Sequence, residues 1–312
     1  MRVLITGGAG FIGSNLARAL LTEGYEISVL DNLSSGFEPD LPSEVEFVEG
    51  DILNGDVVEQ LVGKSDAVVH LAARGSVPRS VADPVAAFEA NAEGTLSILE
   101  SVRKHQRYMI FASSSSVYGR NTINPKQEEM WVSPMSPYAA SKLAAESLVS
   151  AYVESYGLKA LSFRFFNVLG PWQRPDHVYA AVVPKWMWRA IHDLPLPMDG
   201  DGMQSRDFTS VHTVTDVIRQ ALQGEVSHAV PVNLAYGNNI NLVELKAAIE
   251  AIAGRELEVE MRPPRTADVQ ASQNNPALLR KLFPTVEPRD IDTALKGTYE
   301  WLLTQRGNIP AP

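Results

Sequence analysis

The 312-residue chain contains no cysteine. That excludes disulfides, thiolate metal sites and cysteine nucleophiles. No apolar run approaches the ~18 residues that a membrane-spanning helix needs. Basic residues are in deficit: 27 Lys and Arg face 37 Asp and Glu, for a formal charge of −10. A broad phosphate-binding surface for nucleic acid or an anionic membrane is therefore not expected. A few local arginines can still hold one small anion. The first residues offer one basic side chain, Arg2, and a short apolar run that ends in glycines. A signal peptide would need a longer apolar stretch and a cleavage site. Internal repeats and low-complexity segments are missing too. What remains is an ordinary globular composition, long enough for one large domain or two interlocked ones with a sizeable core. The expectation is a cytoplasmic globular enzyme with a small-molecule partner, no nucleic acid, no membrane and no metal.

Residues 2–30 read as strand, glycine turn, helix and strand. Arg2 to Ile5 is apolar, Leu16, Ala17, Leu20 and Leu21 share one helical face, and Gly24 sits where a helix stops. Further strands are predicted at Val45–Val48, Ala67–Leu71, Tyr108–Ala112 and Ala160–Phe165. Helices are predicted near Val57–Val62, Ala86–Lys104 and Tyr138–Ser155. This alternation predicts an α/β fold, a doubly wound parallel sheet covered on both faces. After Asn167 the texture changes. Gly, Pro, Trp and Gln crowd residues 170–175, Pro184–Ile191 and 242–253 read as helices, and 257–261 alternates like a strand. A sheet lobe is expected over 1–166 and about 209–236, because Val211–Gln223 and Val232–Leu234 can return to it. A smaller C-terminal α/β lobe is expected over 167–208 and 237–312.

Gly7, Gly10 and Gly13 are spaced G-x-x-G-x-x-G between the first strand and the first helix, with Phe11 and Ile12 between the last two. Gly7 permits a tight turn, Gly10 lets backbone approach a pyrophosphate at the helix N-terminus, and Gly13 allows close helix–strand packing. Flanked by an apolar strand and an amphipathic helix, the pattern predicts a dinucleotide site. Asp31 ends the second strand, 18 residues after Gly13. A carboxylate there accepts from both ribose hydroxyls and repels a 2′-phosphate, and no Arg follows within residues 32–36, so NAD is expected rather than NADP. Asn32, Asp51 and Ile52, then the small-residue run Leu71, Ala72 and Ala73, are further cofactor candidates, as is Asn91.

Tyr138 and Lys142 are four residues apart behind Pro137, which suits a helix start, so both project from one face. A free Tyr titrates near ~10. The Lys142 charge and a positive nicotinamide ring would favour the phenolate, letting Tyr138 take a proton from a sugar hydroxyl. The run Ser113-Ser114-Ser115-Ser116 follows the Tyr108–Ala112 strand, at the carboxyl end where a parallel sheet keeps its ligand. A hydroxyl there can hydrogen-bond the reacting oxygen. Nothing in the residues themselves chooses among the four serines.

The turn Thr6–Gly13, the serine run, Tyr138 with Lys142, and Arg164-Phe165-Phe166-Asn167 resemble the extended short-chain dehydrogenase/reductase family of nucleotide-sugar epimerases and dehydratases, from residue 1 to about 303. The stretches 75–80, 179–186 and 200–208 are similar to UDP-N-acetylglucosamine 4-epimerases. The resemblance implies that Ser114 is the catalytic serine and that Phe165 touches the nicotinamide. It places Ser76, Ser115, Asn167 and Val182 at the substrate, with Arg206 and the segment of Arg265 and Asp268 at the diphosphate. Two such Arg forks can clamp a diphosphate despite the negative net charge.

Family chemistry begins with hydride leaving C4 of the sugar to give a 4-ketone, after which epimerases and dehydratases part. Ordinary 4,6-dehydratases carry Asp-Glu where this chain has Ser115-Ser116, and hydroxyls are too weak to supply the acid and base of elimination. A 4-epimerase is therefore the leading expectation. The alternative is an alkene-forming UDP-N-acetylglucosamine 5,6-dehydratase, of the kind used in tunicamycin biosynthesis. It would need a loop group such as Glu128, Glu129, Asp176 or His177 at C5 or C6. A non-catalytic sensor of NAD or sugar nucleotide would keep the glycine turn but has no need of Tyr138 and Lys142. Helices 86–104 and 138–155 are long enough for a two-helix seam in each subunit, so a homodimer is expected.

Overall fold

In a computed structural model, the protein is described over residues 1–34, 40–176, 180–264 and 270–312. Its centre is a parallel sheet of seven strands. Six are β1 (Arg2–Thr6), β2 (Glu26–Asp31), β3 (Glu46–Glu49), β4 (Ala67–His70), β5 (Tyr108–Ser114) and β6 (Ala160–Phe165), and the seventh is Val232–Leu234. The order is β3-β2-β1-β4-β5-β6 and then Val232–Leu234. The order reverses between β1 and β4, the place where an open α/β sheet binds ligands beyond its strand ends.

Side chains alternate across each strand. Val3 and Ile5 of β1 enter one core, together with Val69 of β4 and Ile110 of β5. Leu4, Val68, Met109 and Phe111 enter the other. The first face is covered by α1 (Phe11–Thr22), and the second by α2 (Gly55–Lys64). Between β4 and β5 run the short α3 (Val77–Ala82) and α4 (Pro84–Phe88), then α5 (Gly94–His105). The single helix expected over 86–104 is thus interrupted by a π turn at Glu89–Glu93. The long α6 (Pro137–Tyr156) follows β5 and packs beside α5 on the second face.

The smaller lobe holds α7 (Val182–Ile191), whose Trp186 and Trp188 are fully buried. The helix α8 (Val211–Gly224) returns to the first face of the sheet and leads into the seventh strand. The smaller lobe resumes with α9 (Leu242–Ala253), and the strand Val259–Arg262 pairs in parallel with Leu196–Asp199. The chain ends with α10 (Ala277–Leu282) and α11 (Ile291–Thr304). The expected boundary needs one correction. Leu279, Phe283 and Val286, within the segment 237–312, are buried in the first core of the large sheet rather than in the smaller lobe. They fill the space beside the last strand, an apolar surface that would otherwise face water. No helix among the described residues is long and apolar enough to cross a membrane.

Behind the strand ends lies a buried ion pair. Arg164 of β6 donates to both carboxylate oxygens of Glu146 on α6, at 3.0 and 2.7 Å. Ser113 of β5 donates to the same carboxylate at 2.6 Å. Both charged side chains are about 5% exposed. Removing one partner strands the other charge out of water. Glu146→Ala is expected to cost about 3–5 kcal/mol in urea unfolding. The double change Glu146→Leu, Arg164→Met should cost less than the single one.

Candidate active site

The first turn of the sheet lobe is built for close approach. Gly7 has φ +72°, and a Cβ on it would meet the Ala72 amide nitrogen at 2.6 Å. A Cβ on Gly13 would meet the Gly7 carbonyl oxygen at 2.5 Å. Gly8, which the spacing pattern did not single out, is held to glycine as well, because its Cβ would strike Val29 at 2.5 Å. Gly10 precedes α1 and no side chain caps that helix, so its first amides point outward unclaimed by a cap. That end of a helix favours an anion.

Two connected hollows run along the carboxyl ends of the strands. The first, about 310 Å³, is lined by Gly7, Gly10, Asp31, Asn32, Asp51, Ile52, Leu71, Ala72 and Ala73. Asp31 accepts the Ala9 amide at 3.0 Å and the Leu33 amide at 2.9 Å. Burial pushes this carboxyl up, and those two amides pull it back down. Asp51 is held by Asn32 at 2.8 Å and by the Leu53 amide at 2.9 Å.

The second hollow, about 690 Å³, continues over Phe11, Ile12 and Gly13 to Ser114, Ser115, Tyr138, Lys142, Phe165, Asn167 and Arg206. Helix α6 begins here. The Ser136 hydroxyl accepts the Ala139 amide at 3.1 Å, and Pro137 follows at a position that needs no donor. Tyr138 and Lys142 then face the sheet one turn apart. The Ser114 hydroxyl lies beside the Tyr138 phenol in this cavity and favours its ionised form. Ser114 also accepts from the Ser116 hydroxyl at 2.9 Å, which turns Ser116 onto its neighbour. Lys142 is 3% exposed and donates to the Ala112 carbonyl at 3.0 Å.

The electrostatics run against one expectation. Burial pushes the Tyr138 phenol up, and the neighbouring Ser114 hydroxyl only partly offsets this. Lys142 is itself desolvated, and its ammonium is pushed down to about 8. In this dry layer burial outweighs the pull of the lysine on the phenol.

Several expected site residues lie elsewhere. Asn91 does not line the groove. It is fully buried, accepts the Arg74 amide at 2.7 Å and donates to Ser141 at 2.9 Å. Its amide is needed by a loop backbone that has no strand partner. Ser76, at φ +87°, caps α3 by accepting the Arg79 amide, and its neighbour Val77 lines the cavity instead. Val182 opens α7 and packs on the core of the smaller lobe. Glu128 is 6% exposed, and its carboxylate accepts the Asn233 amide at 3.0 Å. Glu129 is exposed, and Asp176 forms a two-point pair with Arg174 at 3.0 and 2.7 Å. None of these three carboxylates lines the cavity. Arg265, Asp268 and His177 lie outside the described residues.

Lys126, Met135, Gln173 and Ser272 also line the second hollow, and no sequence pattern marked them. Asp207, beside Arg206, is fully buried and accepts the amides of Gly237 at 3.0 Å and Asn274 at 2.9 Å. It ties the Arg206 strand to two other segments, and burial raises its carboxyl to about 7.

A glycine turn, a carboxylate at the groove wall and a Ser–Tyr–Lys set on one groove define an NAD-dependent enzyme of the short-chain dehydrogenase/reductase type. The profile of the NAD dependent epimerase/dehydratase family matches residues 3–235, and the chain belongs to that family. It is 36% identical to a UDP-glucose 4-epimerase of Mycolicibacterium smegmatis, over 88% of this chain and 89% of that one. Among solved structures it is similar to the UDP-N-acetylglucosamine 4-epimerase of Methanobrevibacter ruminantium, with a TM-score of 0.91 and 31% identity over 97% of this chain and 98% of that one. It is also similar to TunA, an NDP-hexosamine 5,6-dehydratase of tunicamycin biosynthesis, with a TM-score of 0.88 and 32% identity over 97% and 98%. The cofactor is NAD. The residues present fit it, since the Gly7 turn leaves no room for a side chain and Asp31 keeps a carboxylate at the groove wall.

Lys142 carries a cost that can be measured. Its pKa falls from near ~10.4 in an unfolded chain to about 8 in the fold. The folded protein holds this proton less tightly, so the penalty is full below pH 8 and fades as pH rises to ~10.4. Lys142→Met is expected to stabilise the cofactor-free protein at pH 7 by about 1–3 kcal/mol in urea unfolding while abolishing turnover. The stability gap should narrow between pH 8 and ~10.4. A destabilised variant at pH 7 would contradict this account.

Proposed function

We propose that this enzyme is a UDP-N-acetylhexosamine 4-epimerase that works through a transient 4-keto sugar. One observation carries the reaction type. Among the described residues, the second hollow is lined by Tyr138, Tyr118, Lys142, Lys126 and Arg206 but by no carboxylate and no imidazole. Elimination to an alkene needs a base at C5–H and an acid at the C6 hydroxyl. Epimerisation needs only one group that takes the O4 proton and returns it. The substrate follows from the motif resemblance and from the M. ruminantium enzyme, whose substrate is UDP-N-acetylglucosamine.

Bound NAD would supply the hydride chemistry that interconverts the C4 alcohol and the ketone. The chain's own part is proton handling and placement. Tyr138 takes the O4 proton, and Ser114, lining the same cavity, holds the sugar oxygen with its hydroxyl. Ser116 fixes the Ser114 hydroxyl by donating to it, and so is spent as an acid. Arg206 and Asn167, which also line the cavity, suit the diphosphate end. The second arginine of the expected clamp is Arg265, from the resemblance. A hollow of about 690 Å³ gives a ketone room to turn over.

The test is NMR of UDP-N-acetylglucosamine incubated in D₂O with the NAD-loaded enzyme. The C4 epimer should form with no deuterium at C5. Tyr138→Phe should slow this by about 10²–10⁴-fold. An alkene signal, or deuterium at C5, would overturn the epimerase reading in favour of the 5,6-dehydratase.

We also propose that a second copy of the chain covers α3 and α4. Val81, Val85 and Phe88 are 66, 65 and 47% exposed there, and Leu96 of α5 is 39% exposed. Apolar side chains that cluster like this mark an interface. Sedimentation should find a dimer at micromolar concentration and a monomer for Phe88→Glu. A wild-type monomer would sink the assignment.

A further inference from the structure

Between the phosphate turn and α6 runs a line of polar side chains: Thr6, His70, Thr95, Asn91 and Ser141. Each has 0% exposure. Burying such groups is costly unless every donor and acceptor is matched, and apolar residues of the same shape would pack without that demand.

The partners fix one direction. Asn91 Nδ2 donates to Ser141 Oγ at 2.9 Å, and Ser141 donates to the Tyr138 backbone carbonyl at 2.9 Å. The Thr95 hydroxyl donates to the Asn91 carbonyl at 2.6 Å. That uses the only proton of Thr95, so toward His70 Nε2, 3.0 Å away, Thr95 accepts. The His70 proton is therefore on Nε2. Its Nδ1 accepts from the Thr6 hydroxyl at 2.6 Å. Thr6 Oγ1 accepts the Ala72 amide at 3.3 Å, and Ala72 lines the adenosine end of the groove. The π turn at Glu89–Glu93 is what brings Asn91 into line. An extra residue per turn at this point re-aims a side chain, a common device at functional sites.

The line links the two halves of the site. Thr6 precedes Gly7, the residue pressed against Ala72. Tyr138 receives the other end through its own backbone. Lys142 faces the same layer: its ammonium is 5.1 Å from the centre of the Phe111 ring, and that ring's centre is 5.8 Å from the His70 ring. Burial and the Lys142 charge push the imidazole down to about 3, which keeps the line neutral.

We propose that His70, locked as the Nε2–H tautomer by Thr6 and Thr95, is a positioning residue that sets Tyr138 and Lys142 in register with the cofactor turn. The inference rests on Tyr138 and Lys142 being the catalytic pair. A loss of register of about 1 Å is worth roughly 10²-fold in rate. Leucine at 70 would fill the space but leave the Thr6 and Thr95 hydroxyls without the ring that joins them.

Two measurements test it. The first is ¹⁵N NMR of the histidine rings in the cofactor-free protein. The His70 signals should show a protonated Nε2 and an unprotonated Nδ1, unchanged from pH 6 to 9. A protonated Nδ1, or a ring that titrates in that range, overturns the proposal without reference to activity. The second is steady-state kinetics of the NAD-loaded enzyme. His70→Leu and the near-isosteric Thr95→Val should lower kcat by about 10–100-fold. KM for the nucleotide sugar should stay within about threefold, and Thr95→Ser should restore kcat. If His70→Leu does not fold, Thr95→Val carries the kinetic test. Folded Thr95→Val with wild-type kcat, or with its loss in KM alone, overturns the proposal. Wild-type turnover in Tyr138→Phe would instead refute the catalytic pair itself, and the NMR result would stand apart from that.

Discussion

The site depends on how one helix is held against one sheet. Glu146 of α6 receives Arg164 of β6 and Ser113 of β5 in a layer that water does not reach. Arg164 extends the grip to the Tyr118 hydroxyl at 2.9 Å and the Glu128 carbonyl at 3.1 Å. A buried pair of this kind is poor evidence for stability, since desolvation offsets much of the attraction. What it gives is a single arrangement. Lys142 is one turn before Glu146 and Tyr138 one turn before that, so both inherit their place from the ion pair below them.

The chemistry then follows from what the strand ends present. At the end of β5 the side chains are hydroxyls, and Ser116 donates to Ser114 in the cavity that the phenol also lines. The ionisable carboxylates nearby are engaged in structure: Glu128 with a backbone amide, Asp176 with Arg174, and Asp207 with two amides in the smaller lobe. One scaffold supports different outcomes in this family because the bound nicotinamide chemistry is shared, while the acid–base groups around the sugar differ. Among the described residues of this chain, the ionisable groups that line the second hollow are Tyr138, Tyr118, Lys142, Lys126 and Arg206.

Much of this was legible in the residues. The order strand, glycine turn, helix is local, because backbone conformation at Gly7 and the helical face of α1 depend on neighbours a few positions away. The four-residue spacing of Tyr138 and Lys142 needs nothing beyond helical geometry. Even the strand alternation of Val3, Leu4 and Ile5 over two cores is a property of the pleat.

The rest needed distant parts of the chain. Asn91 reads as a polar residue near a cofactor site, yet it turns inward because the Arg74 backbone and Ser141, 50 residues away, require its amide. Glu128 reads as a loop carboxylate, yet Asn233 on the last strand claims it across 105 positions. Leu279, Phe283 and Val286 read as part of the smaller lobe and instead complete the first core of the large sheet. The sequence by itself determined the turn, the Tyr138–Lys142 pairing on one helical face and the sheet, since short-range sterics and periodicity are written in adjacent residues. Only the tertiary structure decided which polar side chains face the groove and which are consumed inside. That choice depends on which buried backbone groups lack a partner, and those groups meet only when the chain is folded.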